Sequence, residues 1–316
     1  MKYLRDVREN DRIMEHYLCK QKQILKSKSG NTYYSLKLQD KTAMIDAKVW
    51  DIHNDIGNFD ENDVIKIDGT ALIFNGEPQI KINRLRKSLE NEYVLSELIP
   101  HTEKDINELY GKLLGFIDAI KQPQLRQMLE NIVMEHPVIS REIQTHSAAK
   151  QMHHNYMGGL LEHTIAVLEI CDFLGKRYKG VDHDVLIAAA ILHDIAKIFE
   201  LSPMPINDYT DDGQMLGHIY MGAELVAKES AKISGFPHTL KSLLQHAILA
   251  HHGEYEFGSP KLPMTIEALI LHAADNLDAK AKVYEDMIAN NKSGSPWAGY
   301  HKLLGRYLRG SGYDNS

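Results

Sequence analysis

An imidazole and a carboxylate stand side by side at His193-Asp194, at the end of the apolar run VLIAAAILHDIAK. Such a pair is either two metal ligands or an ordinary exposed dipeptide, and its surroundings favour ligands. Ala188, Ala189 and Ala190 lie just before it and let another helix pack closely. Lys197 follows Asp194 by three residues and His193 by four, so on a helix it shares their face. A cation beside such a pair suits an anionic substrate held on a metal. Further candidates stand in separate segments: His163 in GGLLEHT, His218 in LGHIYMG, His251 and His252 in LAHHG, and Asp275 in LHAADNLDAK. Imidazoles and carboxylates without a thiolate suit Mn²⁺, Fe²⁺, Co²⁺, Ni²⁺ or Zn²⁺.

The chain has 17 histidines, so most need a plainer account. His153 and His154 precede NYMGGLLEHT; they either touch a substrate phosphate from the lip of the site or sit in a solvated loop. His246 and His272 read as packing or supporting groups. Glu162, next to His163, could orient or protonate a substrate, but its type fits a solvated side chain better. His16, His53, His101, His136, His146, His183, His238 and His301 read as surface residues.

A second kind of chemistry lies near the N-terminus. Thr32–Asp40 and Thr42–Trp50 both alternate, with Tyr34, Leu36 and Leu38 on one face of the first and Ala43, Ile45, Ala47 and Val49 on one face of the second. Period-two alternation marks half-buried strands. The opposite, wet face then carries Tyr33, Lys37, Lys48 and Trp50. Rings that stack on bases beside lysines that meet phosphates are what a single strand requires. Lys20, Lys22, Lys26 and Lys28 add a basic stretch. The alternative is that Trp50 caps the core and the lysines are a solvated edge.

These residues need elements to hold them. Strands are expected through His16–Leu25, Val64–Phe74 and Gln79–Leu85 as well, with a turn at Asn75-Gly76-Glu77-Pro78 and a short helix near Ile52–Phe59. Five short strands in this space predict a small Greek-key barrel of the OB type. From about residue 91 the period changes to that of helices: Glu108–Ile120, Leu125–Val133, Leu160–Leu174, Val185–Phe199, His218–Ile233, Leu240–His251 and Thr265–Ile288. The expected organisation is a barrel over 1–90, a helical connector over 91–150, an all-α domain over 151–290 and a Gly- and Ser-punctuated tail over 291–316.

Composition agrees with two domains. The length of 316 residues fits about two at roughly 150 each, and 43% hydrophobic with 25% charged residues excludes a wholly disordered or collagen-like chain. Residues 1–90 carry a net charge of +2 and the remainder −9, which fits a mildly basic binding module joined to an acidic catalytic one, or plain surface variation. The longest apolar run, Val185–Leu192, falls far short of the ~20 residues of a membrane span. The charged start MKYLRDVRENDR lacks the apolar core of a secretory signal. Cys19 and Cys171, far apart and outside any CxxC pair, are expected as reduced thiols of a cytoplasmic protein.

The order His … His-Asp … His … His-His … Asp, with HDxxK at its centre, resembles the HD superfamily of metal-dependent phosphohydrolases. The resemblance implies that His163, His193, Asp194 and Asp275 bind one metal. It implies that His218 and His251 bind a second, with Asp194 bridging and His252 a further candidate. Two ions about 3.5–4 Å apart would activate water, polarise a phosphoryl oxygen and stabilise the leaving oxygen, and Lys197 would offset charge in the transition state. With AAKQMHHNYMGGLLEHT, LHDIAK and AHHG behind a barrel, residues 10–290 resemble the YhaM family of bacterial 3′–5′ exoribonucleases. That implies Mn²⁺-favoured removal of nucleotides from the 3′ end of single-stranded RNA, and of single-stranded DNA, by a cytoplasmic protein. Two alternatives are an HD hydrolase of cyclic dinucleotides or nucleotides and a DNA-binding replication-enhancer factor. No membrane partner is expected, and the sequence leaves a homo-oligomer open.

Overall fold

The computed structural model describes residues 1–312 apart from 53–55, 151–153, 292–293 and 303. The chain forms two compact units, Met1–His101 with Met204–Ile206, and Thr102–Pro203 with Asn207–Ser316.

The first unit is a closed barrel of β1 (Arg12–Lys26), β2 (Thr32–Gln39), β3 (Met44–Val49), β4 (Val64–Phe74) and β5 (Glu77–Lys87), in the order β1-β2-β3-β5-β4. β3 and β5 run parallel and the other pairs antiparallel. The alternation read in β2 and β3 is realised: Leu36, Leu38, Ile45, Ala47 and Val49 are buried, while Lys37, Met44 and Asp46 are exposed. Tyr17, Phe59, Ile65, Ile67 and Ile80 are among the other residues of the core. Truncating one of its large aliphatics costs about 2–5 kcal/mol. β1 is longer than expected because it serves two neighbours. Its first half, from Arg12, pairs with β4 and its second half with β2, and the register shifts between Cys19 and Gln21. Such a bulge bends a strand, as closure requires.

Two turns set the register. Asp40 is fully buried between β2 and β3. Its Oδ1 accepts from the Thr42 and Ala43 amides at 2.7 and 3.0 Å, and its Oδ2 from the Leu4 amide. Between β4 and β5, Asn75 and Gly76 have φ of 53° and 84°, the left-handed pair that a tight hairpin favours. The helix expected near 52–59 lies partly outside the described residues. Within it, Ile56 bridges to Leu85 instead, and no helix forms among the described residues.

The second unit holds α1 (Ile106–Asp118), α2 (Pro123–Glu130), α3 (Ile139–Glu142), α4 (Gly159–Arg177), α5 (His183–Leu192), α6 (Lys197–Glu200), α7 (Asp211–Lys232), α8 (His238–Ala250) and α9 (Ile266–Ala289). α5 is its axle. Val185–Leu192 are all buried, as a helix apolar on every side must be. The stretch read as a connector divides: 91–101 belong with the barrel, and Leu109–Ala148 share one core with α4–α9. The helix expected over Val185–Phe199 is broken at 193–196, where the backbone turns before α6. α7 starts ahead of the expected His218, capped by the Thr210 hydroxyl, and is kinked at Gly217. In the segment read as a tail, β6 (Trp297–His301) and β7 (Arg306–Arg309) form a hairpin. Alternation over so few residues is too short to read from sequence. Among the described residues no helix is long and apolar enough to cross a membrane.

Candidate metal centre and strand-binding face

Five elements converge on one carboxylate. α4 contributes His163, the turn after α5 His193 and Asp194, α7 His218, the end of α8 His251 and His252, and α9 Asp275. Asp194 is 2% exposed, and its two oxygens face different partners. Oδ2 lies 3.4 Å from Nε2 of both His163 and His193, and 2.7 Å from the Lys197 ammonium. Oδ1 lies 3.4 Å from Nε2 of His218 and 3.7 Å from Nε2 of His251. Asp275 Oδ1 joins the first group, 3.2 Å from His163 Nε2. His252 joins the second, where ligand atoms of His218, His251 and His252 lie within 4.8 Å of one another.

Each imidazole presents Nε2 for the same reason. Carbonyl and carboxylate oxygens only accept, so an Nδ1 that faces one must carry the proton. His193 Nδ1 donates to Ala190 O at 2.8 Å and His251 Nδ1 to Ile248 O at 2.7 Å, both carbonyls of the preceding helical turn. His252 Nδ1 donates to Phe257 O at 2.9 Å. Carboxylates serve the other two: Asp278 accepts from His163 Nδ1 at 2.7 Å, and Glu200 from His218 Nδ1 at 2.9 Å. Metal-binding histidines are oriented in this way. Two glycines make the approach possible. Gly217, at φ 73°, lets the His218 amide reach Glu200. Gly253, at φ 78°, sits so close to His272 that a Cβ would lie 2.2 Å from its ring. His272 in turn donates from Nδ1 to the His251 carbonyl.

The electrostatics call for a cation. Burial alone would lower the His163 pKa, but Asp194, Asp275 and Asp278 hold it well above the ordinary range. Burial resists ionisation of Asp194, yet Lys197 and His193 hold its carboxyl well below the usual value. Burial and His252 keep His251 neutral, and burial and His218 lower His252. Ligation requires a neutral imidazole. Asp194 Oδ1, His218 Nε2 and His251 Nε2 are buried without a hydrogen-bond partner. Orphaned polar atoms cost about 1–3 kcal/mol each, and here they converge on one point. The donor set fits a divalent ion.

Other histidines fare differently. His154 is buried, not in a solvated loop, and bonds to Tyr156 and Asp278 at 2.8 and 3.1 Å. His153 lies outside the described residues, as does His53. His146 is buried rather than superficial, with ring nitrogens at 3.0 and 3.2 Å from the Ser147 and Leu201 carbonyls. Glu162 is buried, not solvated. Burial raises its pKa, but hydrogen bonds from Thr102, Lys104 and Tyr156 hold it below the usual range. Asp278 and Glu200 were missed by sequence reasoning. Asp278 was findable, one helical turn after Asp275; Glu200 has no such signal.

On the barrel, Tyr33 and Trp50 stack with ring centroids 4.5 Å apart. Trp50 is 48% exposed and caps no core. The Lys48 ammonium lies 5.8 Å from the Tyr33 ring centroid. Lys37 is on the same face but 3.6 Å from Asp46. Lys22 is turned away, its ammonium bonded to the Phe59 carbonyl and over the Phe59 ring.

Residues 160–280 match the HD domain family, and residues 19–87 match the OB-fold nucleic acid binding domain family. Among solved structures, the second OB-fold domain of replication protein A from Methanococcus maripaludis is 20% identical, covering 28% of this chain and 98% of its own, with a TM-score of 0.23. A replication protein A heterotrimer bound to single-stranded DNA is 15% identical, over 25% of this chain and 58% of that one, with a TM-score of 0.21. An OB domain from Thermoplasma acidophilum is 20% identical, over 28% and 86%, with a TM-score of 0.22. The closed five-stranded barrel is thus OB-like and is followed by a helical region that matches the HD domain, a combination that supports a nucleic-acid-binding hydrolase of the HD type.

Proposed function

We propose that this chain is a metal-dependent 3′–5′ exonuclease, acting in the cytoplasm on single-stranded RNA and single-stranded DNA and releasing nucleoside 5′-monophosphates. The observation that carries this reading is the division of Asp194: one oxygen faces His163 and His193, the other His218 and His251. His163, His193, Asp194 and Asp275 would hold one divalent ion. Asp194, His218 and His251, with His252, would hold the second. Mn²⁺ suits the donors best on the resemblance stated above, with Fe²⁺, Co²⁺, Ni²⁺ and Zn²⁺ compatible. When bound, such ions activate water, polarise the phosphoryl oxygen and stabilise the leaving oxygen.

The chain's own groups do the rest. Lys197, ion-paired to Asp194, keeps a positive charge where a phosphate gains negative charge in the transition state. Asp278 and Glu200 hold the tautomers of His163 and His218. In the division expected from sequence, the barrel of 1–90 retains the strand through Tyr33, Lys48 and Trp50, and 151–290 hydrolyse it. A small nucleotide would leave the ring-bearing face without a task.

The test is a time course on 5′-labelled single-stranded RNA, with Mn²⁺ and with EDTA. A ladder that shortens from the 3′ end only with metal is the expected result. Uncut RNA with metal supplied, on protein that still binds the strand, would transfer the assignment to a binding factor or a small-nucleotide hydrolase.

A further inference from the structure

The C-terminal hairpin repeats the surface chemistry of the barrel hairpin on a different unit. Leu308 of β7 is buried, and the hairpin lies against α9. Alternation then puts Tyr307 and Arg309 on the opposite, outer face. Their cross-strand partners are Tyr300 and Trp297, so all four share that face. Trp297, Tyr300 and Tyr307 are 53%, 52% and 67% exposed. The Tyr300 and Tyr307 rings meet edge to face at 5.2 Å.

Charge selects the occupant. Residues 294–312 contain Lys302, Arg306 and Arg309 and no Asp or Glu. Among the described residues, Arg306 and Arg309 hydrogen-bond to the nearby carbonyls of Leu304 and Gly310, and neither they nor Lys302 has a carboxylate partner. This basic island stands in a region whose net charge beyond residue 90 is −9. A symmetric contact with a second copy would set the same cations against themselves. A single-stranded nucleic acid offers phosphates to the cations and bases to the rings.

We propose that the outer face of this hairpin is a second binding site for single-stranded nucleic acid, with Trp297, Tyr300 and Tyr307 stacking on bases, and with Arg309 on that face and Lys302 at the turn meeting phosphates. The proposal rests on the reading of the chain as acting on single strands, but its test does not require hydrolysis. Binding of a fluorescent 30-nucleotide strand to the full chain is measured in EDTA by anisotropy, across a salt series. Trp297→Ala/Tyr307→Ala should weaken binding about 10-fold or more. Lys302→Gln/Arg309→Gln should reduce the magnitude of the log–log salt slope by about 1.4, at roughly 0.7 per lost phosphate contact on a single strand. Circular dichroism melts check that both variants are folded, and the conservative Tyr307→Phe should retain wild-type binding. Wild-type affinity and salt slope in folded variants would overturn the proposal and leave the nuclease reading intact. So would a change of oligomeric state by light scattering with binding per chain unaltered, which would make the face a self-association surface. No strand binding by the wild-type chain would overturn both readings.

Discussion

Around Asp194, carboxylates and imidazoles are packed out of water and held by one another; on the barrel, Tyr33, Trp50 and Lys48 stand in water on a two-stranded surface. The first arrangement is rigid because nearly every polar atom has one partner, and the few that lack one face the same point. The second rests on one stacked pair and a nearby ammonium. A buried cluster admits few residue types, since a wrong one leaves a neighbour unpaired. An exposed face tolerates many. The proposed site of chemistry should therefore fail abruptly under substitution, and the proposed site of binding by degrees.

The largest effect is expected at Asp194. Asp194→Asn removes a charge shared by both histidine groups, and turnover should fall by about 10²–10³-fold, the range seen when a key electrostatic group is lost. Strand binding in EDTA should be unchanged, because the stacking rings lie elsewhere. Loss of both in a folded variant would merge the two regions into one and break the comparison. Next is Asp278→Ala, which leaves the Nδ1–H of His163 without its carboxylate acceptor. Metal affinity should drop by about 10–100-fold in a competition titration. An unchanged affinity would mean that Asp278 does not orient the ligand.

Trp50→Ala should weaken strand binding by about 1–3 kcal/mol, the worth of one stacked base, read as the dissociation constant in EDTA. The same substitution should leave metal affinity unaffected, which sharpens the contrast. The smallest effect concerns the thiols. Burial pushes Cys19 and Cys171 both up to about 12. At pH 8 neither should react with iodoacetamide until the chain unfolds, as counted by mass spectrometry. Rapid labelling of one would show that its unit opens readily.

The same contrast explains what could be read in the sequence. His163, His193, Asp194, His218, His251 and Asp275 stood out because ligand chemistry restricts residue type, and the structure brings them together. Tyr33, Lys48 and Trp50 were readable because alternation assigns faces. Asp278 escaped although it lies on the face of Asp275, because a lone Asp on a helix is usually solvated. Glu200 escaped because only the turn at 193–196 and the kink at Gly217 bring it to His218. His146 and Glu162 were misplaced for a related reason: polar residues are mostly exposed, and burial paired with carbonyls or hydroxyls leaves no pattern along the chain. The C-terminal hairpin escaped because its strands are too short to show a period.

Asp275 and Asp278 both lie on α9, the last long helix, more than a hundred residues after His163. During synthesis, a chain still on the ribosome has every histidine of the cluster before it has these two carboxylates. Until α9 emerges, His163 lacks the carboxylate that accepts from its Nδ1 and the one that faces its Nε2. A chain cut short before α9 should therefore hold a divalent ion more weakly than one that includes it.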